Sequence, residues 1–202
     1  GLGVLMAGVP GVSPAKIVIL GGGVVGRNAL QMAVGMGADV CIFDRDIDRL
    51  RQIDMFYSNR VRTFYSDSLL IEQEVCEADV VIGAVLLPGA AAPKLVTHDM
   101  IKKMKSGSVV VDVAIDQGGC VEGIQATDWR QPIYWRDGIG YIAVSNMPGA
   151  VPRTSTQALS QAILPYVRQL AAGRLKDSPE LQSALAVDQG RIVHPALQEA
   201  AT

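Results

Sequence analysis

Short apolar runs bounded by glycine or polar residues recur along the first three quarters of the chain. Runs of this length and composition are typical of strands that are buried on both faces of a parallel sheet. They predict six strands, at residues 16–20, 38–43, 60–65, 78–84, 108–113 and 141–145.

The stretches between these runs carry apolar residues at helical spacing. They predict helices at residues 28–36, 47–56, 67–77 and 98–104, whereas residues 120–138 are predicted to be irregular. Strands that alternate with helices indicate βαβ units. We therefore expect an α/β fold, a doubly wound parallel sheet of the Rossmann type with helices on both faces.

The pattern changes after Pro152. Residues 154–172 predict a long helix, 179–187 a shorter helix, 190–193 an edge strand and 195–200 a last helical turn. About fifty residues are too few to hold a core of their own, so we expect this segment to dock on another domain.

Composition narrows the classes of function. The 202 residues are 49% hydrophobic, enough for a sizeable core, and the formal charge of −2 comes without a run of Lys or Arg, which argues against nucleic-acid and membrane-surface partners. Three cysteines at unrelated spacings favour a reducing, cytoplasmic location. No cluster has metal-ligand spacing, so no metal is expected.

The apolar lead-in, residues 1–12, is too short to span a bilayer and lacks the charged start of a signal peptide. It suggests the middle of a longer protein.

The glycines after the first strand provide the most specific motif. Gly21, Gly23 and Gly26 have the G-x-G-x-x-G spacing, with Val24 and Val25 at the start of a helix whose N–H groups would face a pyrophosphate. Asp44 ends the second strand, 23 residues after Gly21. An acid at that point accepts hydrogen bonds from the adenosine ribose and repels a 2′-phosphate, which favours NAD over NADP.

Polar residues follow two later strands. Asp116 lies just past the fifth predicted strand and Asn146 just past the sixth, where open α/β sheets bind their ligands. Each candidate also has a structural alternative. Asp44 could cap the helix that starts near Asp46, Asp116 could form an Asx turn, and Asn146 could belong to an ordinary loop.

Four segments resemble the NAD-linked alanine dehydrogenases. They are 83–90 (Gly-Ala-Val-Leu-Leu-Pro-Gly-Ala), 92–96 (Ala-Pro-Lys-Leu-Val), 111–119 (Val-Asp-Val-Ala-Ile-Asp-Gln-Gly-Gly) and 145–155 (Ser-Asn-Met-Pro-Gly-Ala-Val-Pro-Arg-Thr-Ser). The resemblance begins at the lead-in and covers about three quarters of the chain. Nicotinamide nucleotide transhydrogenases share the scaffold but usually read Ala-Gln-Asn-Gly-Gly at the position of 115–119, so Asp116 favours a dehydrogenase.

The resemblance implies a role for each matching residue. Asp116 would be the catalytic aspartate, which either bonds the amino group or the histidine of the substrate site or stabilises an iminium. Arg49 would approach the ribose, and Ser66 is a candidate for the adenine end. Surface charge on a helix explains Arg49 equally well. The nicotinamide end would be lined by Val85, Leu86, Leu95, Val113, Val144, Asn146 and Met147. The first, third and fourth of these, Val85, Leu95 and Val113, would also be explained as core side chains.

The resemblance also implies an incomplete enzyme. Family members carry a preceding substrate domain, with the arginine, lysine and histidine that handle the substrate, and neither His98 nor His194 matches that histidine. We expect an interdomain lead-in at 1–14, an NAD-binding domain at 15–150 and a C-terminal segment of an absent substrate domain at 151–202. The expected activity is the oxidative deamination of L-alanine to pyruvate and ammonia. The protein is expected to be a homo-oligomer, which is a hexamer in the family and a dimer for this chain. The isolated chain is expected to lack turnover; the alternatives are a non-catalytic NAD-binding module and a transhydrogenase alpha subunit.

Overall fold

The computed structural model describes residues 1–86 and 92–200, without the side chains of residues 196, 199 and 200. Pro88 and Gly89, predicted to end the fourth strand, lie outside the described residues. The chain divides into two compact units, Gly1–Asn146 and Met147–Thr202. The domain limits expected above remain predictions.

The first unit is built on one seven-stranded sheet in the order β3-β2-β1-β4-β5-β7-β6. Its strands are β1 Lys16–Leu20, β2 Asp39–Asp44, β3 Val61–Tyr65, β4 Val80–Gly83, β5 Val109–Asp112, β6 Ile133–Arg136 and β7 Ile139–Ile142. All neighbouring pairs are parallel except β6 with β7. The chain crosses over between β1 and β4, and this reversal opens a crevice at the carboxyl ends of the strands. The predicted α/β Rossmann-like fold is confirmed.

Among the described residues, four helices connect the strands: α1 Val24–Gly35, α2 Ile47–Tyr57, α3 Ser68–Cys76 and α4 His98–Lys102. Side-chain caps start three of them. Asp46 accepts the Arg49 N–H at α2, Asp67 caps α3 and Thr97 caps α4. Helix α1 begins four residues before the predicted Asn28, because the glycine turn leads directly into it.

The core lies on both faces of the sheet, since side chains alternate along each strand. On β1, Val18 and Leu20 join one buried cluster, whereas Ile17 and Ile19 join the other. The second cluster also receives Met6 from the lead-in, so part of that apolar segment is covered by its own unit.

Two sequence-based predictions are wrong near the sheet edge. Residues 120–138 are not all irregular, because Ile133–Arg136 forms the antiparallel strand β6. The last strand covers Ile139–Ile142 and not 141–145. The turn between them, Asp137-Gly138, has φ angles of 53° and 77°, the left-handed conformation that a tight hairpin requires.

The second unit contains α5 Pro152–Ala171, α6 Pro179–Ser183, the short hairpin of β8 Val187–Asp188 and β9 Arg191–Ile192, and α7 Pro195–Ala200. The helix predicted to reach Val187 ends at Ser183, because Val187 pairs with Ile192 instead. Within the described part of the chain, no helix combines the length and apolar character of a bilayer span.

Candidate functional site

The glycine loop joins β1 to α1, and its three motif glycines differ in what surrounds them. Gly21 has φ +102°, and a Cβ there would come within 2.7 Å of the Ala84 carbonyl oxygen. A Cβ on Gly26 would overlap the Gly21 carbonyl oxygen, so this glycine lets α1 pack on the loop. A Cβ on Gly23 would meet none of the described atoms within 4 Å. The loop is therefore closed on the protein side and open at Gly23, beside the N-terminal N–H groups of α1, as a pyrophosphate site requires.

Asp44 is fixed beside this loop by three donors. Its carboxylate accepts the Gly22 N–H at 2.6 Å, the Asp46 N–H at 2.8 Å and the Arg49 guanidinium at 3.0 Å. Burial alone would raise its pKa, but the two backbone N–H groups and Arg49 outweigh burial and hold the pKa of Asp44 below its usual range. The helix cap considered for Asp44 belongs to Asp46, which leaves Asp44 as an ionised group facing the loop.

Ser66 and Arg49 both lie next to Asp44. The Ser66 N–H donates to the Asp44 carbonyl oxygen at 2.9 Å, which places the end of β3 against the end of β2. The Arg49 side chain is 37% exposed and also approaches Asp46 at 3.4 Å. Arg49 is therefore more than a surface charge on α2, because its guanidinium binds the proposed ribose acceptor.

Asp116 and Asn146 meet at the same edge of the sheet. Asp116 is exposed on a single 3-10 turn, Ile115–Gln117, and its carboxylate accepts the Asn146 N–H at 3.1 Å. Asn146 has φ +52°, a left-handed conformation that asparagine tolerates better than most residues. The Asx-turn geometry considered for Asp116 lies instead at Asp112, which accepts the N–H of Ala114 two residues on.

Asp112 and Lys94 were not among the predicted site residues, although both hold the loop that carries Asp116. The Asp112 side chain is buried at the end of β5. Burial raises the pKa of Asp112, although three backbone N–H groups oppose the increase. Both residues lie in segments that resemble the family, and Asp112 is also an acid at the end of an apolar strand. Nothing local to Lys94 indicates its acceptors, because they lie more than twenty residues later.

A cavity of about 170 Å³ lies between the glycine loop and the Asp116 loop. It brings together five predicted residues and three others: Val25, Val85, Leu86, Val113, Asp116, Ala84, Ala114 and Gln117. Apolar walls with one carboxylate at the rim suit a flat, weakly polar ring. A wider groove of about 350 Å³ between α1 and α2 contains none of the predicted residues, so the smaller cavity is the better candidate.

Other predicted residues are not part of this cavity lining. Leu95 packs against the core cluster, and Val144 is 1% exposed, so both side chains are packed within the first unit. Val24 is 71% exposed at the start of α1. Met147 belongs to the second unit.

Comparison with known proteins decides the family. Residues 1–195 match the family model described as alanine dehydrogenase/PNT, C-terminal domain. The chain belongs to this family. The alanine dehydrogenase of Halomonas elongata is 50% identical over 99% of this chain and 55% of its own length. A solved L-alanine dehydrogenase is 51% identical, with a TM-score of 0.89, over 100% of this chain and 56% of that chain.

A more distant member of the same structural group is the transhydrogenase from Sinorhizobium meliloti. It is 28% identical, with a TM-score of 0.74, over 92% of this chain and 51% of that chain. The chain spans about half the length of the relatives it matches. Membership of the alanine dehydrogenase/PNT family and the Rossmann fold together imply a nicotinamide cofactor.

Proposed function

We propose that this chain is the NAD-binding part of an L-alanine dehydrogenase, which converts L-alanine reversibly to pyruvate and ammonia. The observation that carries the proposal is a row of four features along the carboxyl ends of the strands. They are the open glycine loop, the ionised Asp44, an apolar cavity and the Asp116–Asn146 pair. The identity to alanine dehydrogenases, about twice that to the transhydrogenase, supports the dehydrogenase.

The adenosine end of the cofactor is assigned to the β1–β2 side. The backbone at Gly23 and the start of α1 would hold the pyrophosphate, and Asp44 would accept the ribose hydroxyls. Ser66 and Arg49 border the same space. A second phosphate on the ribose would meet the Asp44 carboxylate, so NAD is the proposed cofactor.

The nicotinamide end is assigned to the cavity. Val25, Val85, Leu86 and Val113 offer apolar surface for the ring, and the Asn146 amide can bond the carboxamide. Leu95 and Val144 remain weaker candidates. The bound cofactor supplies the hydride acceptor. Asp116 would stabilise positive charge at the substrate nitrogen, directly or through a histidine.

Cofactor titration tests the first half of this proposal. The 202-residue chain, titrated by fluorescence, is expected to bind NADH at least about tenfold more tightly than NADPH, and Asp44→Ala should reduce that ratio. Asp48→Ala is the matched control, since Asp48 is 81% exposed on α2 and pairs with Arg51. Equal affinities for NADH and NADPH would contradict the cofactor assignment.

The catalytic role needs a preparation that oxidises alanine. There, Asp116→Asn should lower kcat by about 100-fold, the order of one lost charge-stabilising group, and leave the Kd for NADH within twofold. Cofactor binding without turnover in any preparation would favour a non-catalytic module. Hydride exchange between NADH and an NADP analogue would favour a transhydrogenase.

We also propose a homo-oligomer in the cytoplasm. On α5, Leu159, Ile163, Tyr166 and Leu170 are all more than 40% exposed at spacings of four, three and four residues, which places them along one helix face. On the first unit, Leu5 and Val12 of the lead-in are exposed as well. Light scattering should give a mass of at least twice 21.4 kDa. A monomer at high concentration would contradict self-association.

A further inference from the structure

One buried carboxylate, that of Asp112, accepts hydrogen bonds from main-chain N–H groups of the loop that carries Asp116. Asp112 Oδ1 accepts the Ala114 N–H at 3.0 Å. Asp112 Oδ2 accepts the N–H groups of Cys120 at 2.8 Å and Val121 at 3.1 Å. One side chain thus fastens both ends of the loop to the end of β5.

Lys94 holds the same loop from its carbonyl side. Its ammonium donates to the carbonyl oxygens of Gly118 at 2.5 Å, Gly119 at 2.7 Å and Val121 at 3.4 Å. Two backbone bonds run alongside, from the Ala92 N–H to Gln117 at 3.0 Å and from the Leu95 N–H to Cys120 at 2.8 Å. The loop is therefore attached to an anion through its N–H groups and to a cation through its carbonyls.

The space around Asp112 is filled by backbone, which leaves the carboxylate little freedom. A Cβ on Gly119 would come within 2.7 Å of Asp112 Oδ2, and one on Gly83 within 3.1 Å of Oδ1. Burying a carboxylate in such a site is costly, and backbone N–H bonds compensate only part of the cost. A neutral residue would cost less, so the charge is expected to serve a purpose beyond stability.

That purpose follows from what the loop presents. Asp116 sits between the two fastened ends, and its own carboxylate faces the Asn146 N–H. None of the bonds that Asp112 accepts comes from Asp116, so Asp112 acts on Asp116 only through the loop backbone. We propose that Asp112 and Lys94 form a two-sided clamp that positions Asp116 against Asn146. Their role in alanine oxidation rests on the proposed function. Their role in holding the loop does not depend on it.

Amide hydrogen exchange of the 202-residue chain by NMR tests the clamp, with the Asn146 N–H as reporter. Asp112→Asn places an NH2 group against backbone N–H donors, and Lys94→Met removes the bonds to the carbonyls. Each should speed exchange at Asn146 about tenfold, the factor expected for one lost hydrogen bond. Asp116→Asn, which weakens the acceptor itself, should have the same effect, and Lys94→Arg should keep most of the protection.

Matched controls separate positioning from loss of stability. Asp79 is a 12% exposed acid at the amino ends of the strands, on the side of the sheet away from Asp116. There it accepts the Lys16 N–H and pairs with Lys105. Asp79→Asn and Lys105→Met should leave Asn146 protected relative to core amides such as that of Ile19. If Asn146 exchanges in Asp112→Asn and Lys94→Met no faster than in these controls, the clamp is wrong. Lys94→Met lies near the surface and keeps the test valid if Asp112→Asn does not fold.

The kinetic test distinguishes the clamp from the proposed function. In a preparation that oxidises alanine, Lys94→Met should lower kcat about tenfold and leave the Kd for NADH within twofold, because Lys94 is not among the residues that line the cavity and the adenosine end lies elsewhere. Equal loss of cofactor affinity and kcat would overturn the positioning role. Absence of NADH binding by the unaltered chain would refute the proposed function, while the exchange result would still decide the clamp.

Discussion

Arg49 Nη1 lies 3.0 Å from Asp44 Oδ2, the same oxygen that accepts the Gly22 N–H. The carboxylate proposed to repel a 2′-phosphate is therefore partly neutralised by its neighbour. A guanidinium is also a good phosphate ligand, because its planar donors match phosphate oxygens. The pair should discriminate less strongly between NAD and NADP than an aspartate alone.

Arg49→Met is accordingly expected to increase that discrimination. NADPH affinity should fall about three- to tenfold while NADH affinity changes less than twofold, since one unit charge near a partly exposed site contributes about 1 kcal/mol. Fluorescence titration measures both affinities. Arg51→Met, on the same helix and paired with Asp48, should change neither. Equal losses for the two cofactors would refute the role of Arg49.

Three glycines of one segment should separate folding from binding. Gly23→Ala adds a methyl group in open space at φ −67°, so the free energy of unfolding should stay within about 0.5 kcal/mol while NADH affinity falls at least tenfold. Gly26→Ala should lower the free energy of unfolding by about 1–3 kcal/mol, because its Cβ overlaps the Gly21 carbonyl.

Gly35→Ala serves as the control for both. It lies in α1, and within the described part of the chain no atom comes within 4 Å of the added Cβ, so alanine should stabilise the helix by about 0.5–1 kcal/mol and leave NADH binding intact. Urea unfolding and NADH titration of the same three variants measure both quantities. Normal NADH binding by Gly23→Ala would place the pyrophosphate elsewhere.

Stability should depend on pH through Glu74. Burial raises the pKa of Glu74, but hydrogen bonds and charges from Lys16 and Arg62, each 3.0 Å away, outweigh burial and lower it. A lowered folded pKa stabilises the fold above the unfolded pKa of about 4.3, and this stabilisation is lost as the pH falls through the folded value.

Glu74→Gln should therefore destabilise the chain at pH 7 by about 0.5–1 kcal/mol, and the difference should shrink below pH 4. Urea unfolding at several pH values measures it. Glu72→Gln, on the same helix with a Lys103 partner, should show a smaller effect. A difference for Glu74→Gln that is constant from pH 7 to pH 3 would contradict the network.

The three cysteines should react with a thiol reagent at very different rates. Cys41 and Cys120 are buried, and burial raises the pKa of each to about 12. Cys76 is partly accessible, although burial raises its pKa as well. With Ellman's reagent at pH 8, one thiol should react in the native chain and three after unfolding. Cys76→Ser should abolish the reaction of the native chain with the reagent. Two rapidly reacting thiols in the native chain would contradict the burial of Cys41 and Cys120.

The fold could be predicted from local signals, because buried parallel strands and their helices have a clear apolar pattern. The Asp137-Gly138 and Gln189-Gly190 turns show what was missed. Both pairs have positive φ at both residues, which is the hairpin conformation, but the strands they join are only two to four residues long. Short antiparallel strands leave too few alternating positions for a pattern to be visible.

The site could be predicted less completely, for a different reason. Asp44 ends one apolar strand and Asp116 closely follows another, so the strand pattern locates both of these proposed ligand-binding acids. Lys94 and Asp112 act through backbone atoms that any sequence supplies, at separations of 24 and 8 residues. Every amino acid except proline supplies both a main-chain N–H and a carbonyl, so the residue type of the partner does not reveal such a hydrogen bond. The structure is needed to find it.

The crossover between β1 and β4 also has a kinetic consequence. Lys16 and Asp79, which are bonded where these strands begin, are 63 residues apart in the chain. We expect so long a loop to close late in folding, whereas the β1–α1–β2 unit can form from local contacts. The crevice at the carboxyl ends of the strands should therefore be completed near the end of folding. A ligand that bridges its two sides should slow unfolding and leave the rate of folding almost unchanged.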